Sequence, residues 1–208
     1  MPVCVRDIYH DLCLRYTSYA GLISRYWQEL EVAYNERHRH YHTLNHLAYL
    51  LEELHPIRPF IHDWDAVLWA LFYHDAVYSV TRNDNEERSA ALAATLMKDM
   101  GVAAAVIEKC TAIILATRAH EPHADEDVNM FTDADLAILG ASPELYTAYA
   151  HQVRREYSIY PDLLYRPGRK KVLQHFLDMQ RIFKTEYFHS RYEQQARTNL
   201  SNELNNGV

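Results

Sequence analysis

The stretch WDAVLWALFYHDAVYSV, residues 64–80, constrains the fold more than any other. Its apolar residues run almost all the way round a helix. It therefore predicts a helix over about 64–79 that is buried on most sides. Such a helix needs neighbours, and the rest of the chain offers helical ones. Long segments have helical spacing, few alternate apolar and polar residues, and only five glycines occur in 208 residues. Helices are expected over about 6–33, 42–54, 85–100 and 103–118. HPIRPF is a proline-marked break, and TRNDNEE and HEPHADEDVN read as loops. A short helix carries DADLAILG and stops at Gly140 as a C-cap. Pro143 then opens another, with Ser142 as its N-cap. After the connection IYPDLLYRPG, two more helices fill about 169–183 and 186–203. No repeat or linker divides the chain. The expected architecture is all-α, one bundle domain over 1–200 with a polar C-terminal tail at 201–208.

Charge and cysteines narrow the function. A net charge of -7 argues against duplex nucleic acid, which needs a basic footprint, although RPGRKK (166–171) is locally basic. Cys4, Cys13 and Cys110 form no CxxC pair, which fits a reduced compartment and no cysteine-based zinc site. The N-terminus has no signal-peptide apolar region, and no window holds 18 uninterrupted apolar residues. A cytoplasmic protein without a membrane span is expected.

Three segments place ligand-type residues among apolar ones. His74 and Asp75 fall in the C-terminal half of the buried helix, where a carboxylate is costly unless paired, hydrogen-bonded or bound to metal. A structural His-Asp bond is one answer, and a metal site another, since imidazole and carboxylate are common transition-metal donors. RHRHYHTLNH, residues 37–46, holds four histidines, of which His42 and His46 are four apart. On a helix with the stripe Leu47, Leu50, Leu51 and Leu54, His46 borders the buried face and His42 looks outward. His38 and His40 lie in the lead-in. MFTDADLAILG carries Asp133 and Asp135 in a third apolar segment, where either at least one carboxylate is carried inward or Asp133 caps the helix and Asp135 is solvated. His46, His74, Asp75 and one of these aspartates would make a coherent mixed nitrogen and oxygen set.

The order His, then His-Asp, then Asp, all on helices, resembles the HD superfamily of metal-dependent phosphohydrolases. YHTLNH is similar to the Tyr-His-Asn-x-x-His element of the cyclic-nucleotide phosphodiesterase branch, with Thr43 in place of asparagine. FYHDAVY resembles the HD signature and DADLAILG the closing aspartate motif. ERHRHYHTLNHL, DNEERSA, TDADLAILG, YRPGRKKVL and ARTNL together resemble a compact bacterial group of HD-type phosphohydrolases, over roughly residues 34–200. The resemblance implies an HD-type helical bundle. It implies His46, His74, Asp75 and Asp135 as metal ligands, with Asp135 preferred to Asp133, and His42 as general acid. The chain lacks the Gly-Tyr-Pro segment of the cyclic-di-nucleotide branch.

The implied activity is metal-dependent hydrolysis of a phosphate ester by metal-activated water, on a small nucleotide-like substrate. The cofactor is a divalent ion, Mn, Mg, Fe, Co or Zn. Asp75 or Asp135 would orient the water, and Glu86 or Glu87 would supply a further carboxylate at the cleft or a ligand to a second ion. His42 would protonate the leaving group. Candidates to hold the phosphate are His120, Arg39, Arg118 and Lys170. Tyr41, Tyr73 and Tyr78 are candidates to stack on a base. Two rivals stand beside this reading. One is an HD-fold di-iron oxygenase, for which His120 and His123 are the added histidines. The other is a metal-containing nucleotide-binding module without turnover.

Overall fold

The computed structural model describes residues 4–207. The fold is all-α, and no strand occurs among the described residues. The helices are α1 (Val5–Leu14), α2 (Ala20–Tyr34), α3 (Leu44–Leu54), α4 (Trp64–Tyr73), α5 (Asn85–Asp99), α6 (Ala104–Ala116), α7 (Glu126–Leu136), α8 (Pro143–Glu156), α9 (Asp162–Asp178) and α10 (Glu186–Asn206). Short 3-10 turns follow α3 (His55–Phe60) and α7 (Ala137–Gly140). None of the described helices is long and apolar enough to cross a membrane. The chain groups into two compact units. The first ends at Thr132 and the second begins at Asp133.

The first unit is organised around α4. Every residue from Ala66 to Tyr73 is buried, as the all-round apolar pattern requires, and α1, α3, α5 and α6 pack against it. Tyr9 of α1 meets Trp69 and Phe72 of α4 edge-on, at 6.1 and 5.0 Å between ring centroids. Its hydroxyl lies 2.8 Å from that of Tyr73, so Tyr73 is a core residue and has no free edge for a ligand. Each such buried aromatic contributes on the order of 1.5–3 kcal/mol by area alone. Asp63 caps α4 by accepting from the Ala66 N–H.

Asp127 of α7 fixes the approach to α4. Its fully buried carboxylate accepts the N–H groups of His62 and Asp63 at 2.8 and 2.9 Å and pairs with Lys109 of α6. Burial acts to raise this carboxyl, but Lys109 and the two backbone donors outweigh it and hold the group below the usual carboxylate range. The folded state therefore binds the Asp127 proton less readily than the unfolded chain. The resulting stabilisation is present above the unfolded pKa of about 3.9 and is lost as pH falls through the lower folded value. Urea denaturation as a function of pH checks this. Asp127→Asn should lower stability at neutral pH and should flatten the decline below about pH 4. An unchanged acid slope would show that Asp127 does not carry the linkage.

Several boundaries differ from expectation for local reasons. The expected helix over 6–33 is two helices, α1 and α2. Thr17 and Ser18 lie between them, and the Thr17 Oγ1 accepts from the Tyr19 N–H, a local bond that competes with the helix. α7 starts inside the expected loop because Asp125 accepts from the Asp127 N–H and acidic residues fill its first turn. α8 begins as expected, with Ser142 capping and Pro143 at its first position. α9 begins at Asp162 inside the expected connection. It contains Pro167, whose missing N–H would have served the carbonyl of the exposed Leu163.

The second unit is held by side chains that cap loops and helix ends. Gly140 is not the left-handed C-cap expected, since its φ is not positive. It is needed for close approach, because a Cβ there would lie 2.5 Å from Tyr192 Cβ and 2.7 Å from the Tyr192 carbonyl. Asn199 of α10 donates to the carbonyls of Leu139 and Ala141, both at 2.9 Å. Residues 201–206, expected as a polar tail, continue α10. They are anchored by the buried Glu203, which accepts from Arg169 Nε at 2.7 Å and from the Tyr146 hydroxyl.

Candidate metal centre

The expected helix over 64–79 ends at Tyr73, because side chains take the carbonyls that a further turn would have used. The Tyr34 hydroxyl donates to the Phe72 carbonyl at 3.1 Å. Arg39 donates from Nη1 to the Asp75 carbonyl at 2.6 Å and from Nη2 to the Ala76 carbonyl at 3.1 Å. The Ser89 hydroxyl serves both the N–H and the carbonyl of Val77. His74 is thus the C-cap of α4 and Asp75 lies in the turn beyond it, not within the helix.

This turn brings His74 and Asp75 to His46. The His74 Nε2 lies 3.0 Å from Asp75 Oδ2 and 3.1 Å from His46 Nε2. The His46 Nε2 to Asp75 Oδ2 distance is 3.7 Å. Both histidines are buried, at 3% and 2% exposure, while the Asp75 side chain keeps 21%. Phe131 closes the site edge-on against His74, with centroids 5.6 Å apart.

The protons decide what this cluster is. The His74 Nδ1 is 3.1 Å from the Leu71 carbonyl, which can only accept, so Nδ1 carries the hydrogen. In the neutral ring, Nε2 then presents a lone pair to a carboxylate oxygen and to a second imidazole nitrogen. Converging lone pairs repel unless a proton or a metal cation sits among them. The spacing is one that a metal could occupy as well as a proton. Ligands about 2.1 Å from one ion are about 3.0 Å apart at 90° and about 3.6 Å apart at 120°. The donor set, two nitrogens and one oxygen, is that of a divalent transition metal. These three residues form the one such group among the described residues.

The Asp75 carboxylate has His74, His42 and His46 about it. Burial pushes its carboxyl up, but where His74, His42 and His46 carry protons, their charge and a hydrogen bond from His74 outweigh burial and hold it well below the usual carboxylate range.

His42 stands at the edge of this group. It was expected one helical turn from His46. Instead it precedes α3, because Thr43 is the N-cap and accepts from the Asn45 N–H. Its half-buried ring lies 5.8 Å from that of His46 and 4.3 Å from that of Tyr78, centroid to centroid. Tyr78 also stacks on the exposed His38, so the histidine-rich lead-in and the turn after Asp75 form one wall.

Arg39 corrects the expectation of a substrate contact. Its guanidinium is fully buried, lies over the rings of Tyr34 and Tyr78 at 5.1 and 5.3 Å, and also pairs with Glu36. It is a brace that shapes the turn carrying Asp75. Sequence reasoning missed this role because its partners are backbone carbonyls, which have no residue signature.

The group of three includes none of the remaining candidates. Arg118 pairs with Glu87, both exposed, and Glu86 is half-buried in the first turn of α5. His120 has a left-handed backbone, with φ 54°, in the loop after α6. His123 Nδ1 accepts from the Asp125 N–H. Lys170 is exposed on α9, and Asp135 is half-buried near the end of α7; both belong to the second unit. Asp133, the alternative to Asp135, is fully used there. Its buried carboxylate accepts the N–H groups of Lys184 and Thr185 at 2.9 and 2.7 Å, the Thr185 hydroxyl at 2.7 Å, and pairs with Lys184 Nζ at 3.0 Å. Asp133 therefore holds the start of α10.

No family model, no curated protein and no solved structure matches this chain.

Proposed function

We propose that the chain is a divalent-metal phosphohydrolase acting on a small, nucleotide-like phosphate ester. The observation that carries this is the convergence of His46 Nε2, His74 Nε2 and Asp75 Oδ2, with the His74 tautomer fixed by the Leu71 carbonyl. The ordered motifs that resemble the HD superfamily support it. An ion bound there would acidify a water and polarise a phosphoryl oxygen. His46, His74 and Asp75 would hold that ion, and Arg39 keeps Asp75 in place. His42, beside the ligands and against Tyr78, holds the proton that the departing alkoxide oxygen takes up. The buried Phe131 and His46 limit water on the inner side. The three cysteines form no disulfide, in keeping with action in the cytoplasm.

Hydrolysis of a panel of phosphate monoesters, diesters and nucleotides, across added Mn, Mg, Fe, Co and Zn, tests this reading. The account expects metal-dependent release of phosphate or nucleoside monophosphate. It expects His42→Ala to keep the metal and to lose about 10²–10⁴-fold in kcat. A wild-type rate in that variant removes His42 from the mechanism. Nucleotide binding without turnover by the metal-loaded protein would replace the hydrolase with a binding module.

A further inference from the structure

The second unit contains a cleft that the metal centre does not use. It encloses about 470 Å³, within the range of about 300–1,000 Å³ usual for small-molecule sites. Its wall combines the last turn of α8, the first half of α9 and the end of α10. Four cations, Arg154, Arg166, Arg169 and Lys170, face two carboxylates, Asp162 and Glu203, which leaves a local charge of +2 in a chain whose net charge is -7.

The carboxylates are already engaged. Asp162 Oδ1 accepts from Arg154 Nη2 at 2.7 Å, and Glu203 accepts from Arg169 Nε and Nη2 at 2.7 and 2.9 Å. Arg154 is fixed further by the carbonyls of Tyr157 and Tyr160 and by stacking on Tyr165, 4.4 Å from its centroid. The surplus charge therefore belongs to Arg166 and Lys170. Arg166 is 77% exposed with one long contact to Asp162, at 3.4 Å. Lys170 is exposed and has no ion pair among the described residues. The Tyr165 hydroxyl, in the same wall, is shielded from solvent and has no hydrogen-bond partner. A shielded donor without an acceptor is a cost that a bound oxyanion would remove.

We propose that this cleft binds a phosphorylated small molecule through Arg166, Lys170 and the Tyr165 hydroxyl, with Arg169 as the fixed base of the site. Two surplus cations match a doubly charged oxyanion. The guanidinium fork suits phosphate oxygens, and the three acceptor oxygens of a phosphate leave one for the hydroxyl. The inference is independent of the metal centre.

Titration calorimetry of the full chain with inorganic pyrophosphate at fixed ionic strength tests it, after metal is stripped with EDTA and the chelator removed. One saturable site per chain is expected. The double variant R166Q/K170Q, altered only at exposed positions, should bind at least tenfold more weakly with unchanged circular dichroism. Tyr165→Phe should lose about three- to tenfold. Asp75→Asn, which alters the other site, should bind pyrophosphate as the wild type does, and succinate should bind at least tenfold more weakly than pyrophosphate. The proposal is overturned by any of four results: no saturable binding, wild-type affinity in R166Q/K170Q, loss of binding in Asp75→Asn, or equal affinity for succinate.

Discussion

Replacing Arg39 with methionine should lower the stability of the first unit by about 3–5 kcal/mol. Methionine keeps much of the side-chain volume but removes every donor. The carbonyls of Asp75 and Ala76 lose their guanidinium partners, and the cation leaves the faces of Tyr34 and Tyr78. An unsatisfied buried carbonyl costs about 1–3 kcal/mol, so the two together supply most of the effect. Arg39→Lys should recover less than half of it, because one ammonium cannot span both carbonyls and Glu36 as the fork does. Trp27, Trp64 and Trp69 are the three tryptophans of the chain and all lie in the first unit. Urea denaturation followed by their fluorescence reads the loss directly. A loss under about 1 kcal/mol would mean that the turn after α4 holds its shape without Arg39.

Asp133→Ala should destabilise the second unit by about 3–5 kcal/mol, the cost of breaking a buried charge pair. Lys184 would lose its buried partner, and the N–H groups of Lys184 and Thr185 would lose their acceptor at the start of α10. Far-UV circular dichroism during urea denaturation measures it, with and without EDTA. A capping residue gives the same loss in both conditions. A metal ligand stabilises only through bound ion, so its removal would cost stability with metal and little in EDTA. The latter pattern would return Asp133 to the ligand set.

The two aspartates show where a sequence stops being informative. Both sit in one apolar segment, two residues apart, and nothing local separates them. Asp133 is committed by a helix start about 50 residues later, a distance that periodicity does not report. Arg39 is the same case, since it acts on carbonyls 36 and 37 residues away. The burial of His46 and His74 was legible, because apolar neighbours at helical spacing dictate which face turns inward. So was the all-α fold, from the same spacing. The true start of α3 was legible but not used: Thr43 before the apolar stripe is an N-cap signal, and it moves His42 off the helix. The early start of α7 at the acidic run after Asp125 is of the same kind. The early end of α4 was not legible, because Tyr34, Arg39 and Ser89 take its carbonyls from other helices and loops.

The basic run RPGRKK also changes meaning in the structure. Arg166 and Lys170 line the cleft of the second unit, while Arg169 is locked to Glu203. The charge that a linear reading sees as one patch is divided between a structural pair and three exposed cations, Arg166, Lys170 and Lys171.

The central claim is that His46, His74 and Asp75 hold a divalent ion. Elemental analysis of the purified chain, followed by equilibrium titration of the metal-stripped protein with Mn and Zn, tests it most directly. The account predicts one ion at this site in the wild type, lost together with phosphate-ester hydrolysis in both His74→Ala and Asp75→Ala, while circular dichroism stays helical. Full metal content in either variant would contradict it, and would leave the short His74 to Asp75 contact as a structural hydrogen bond.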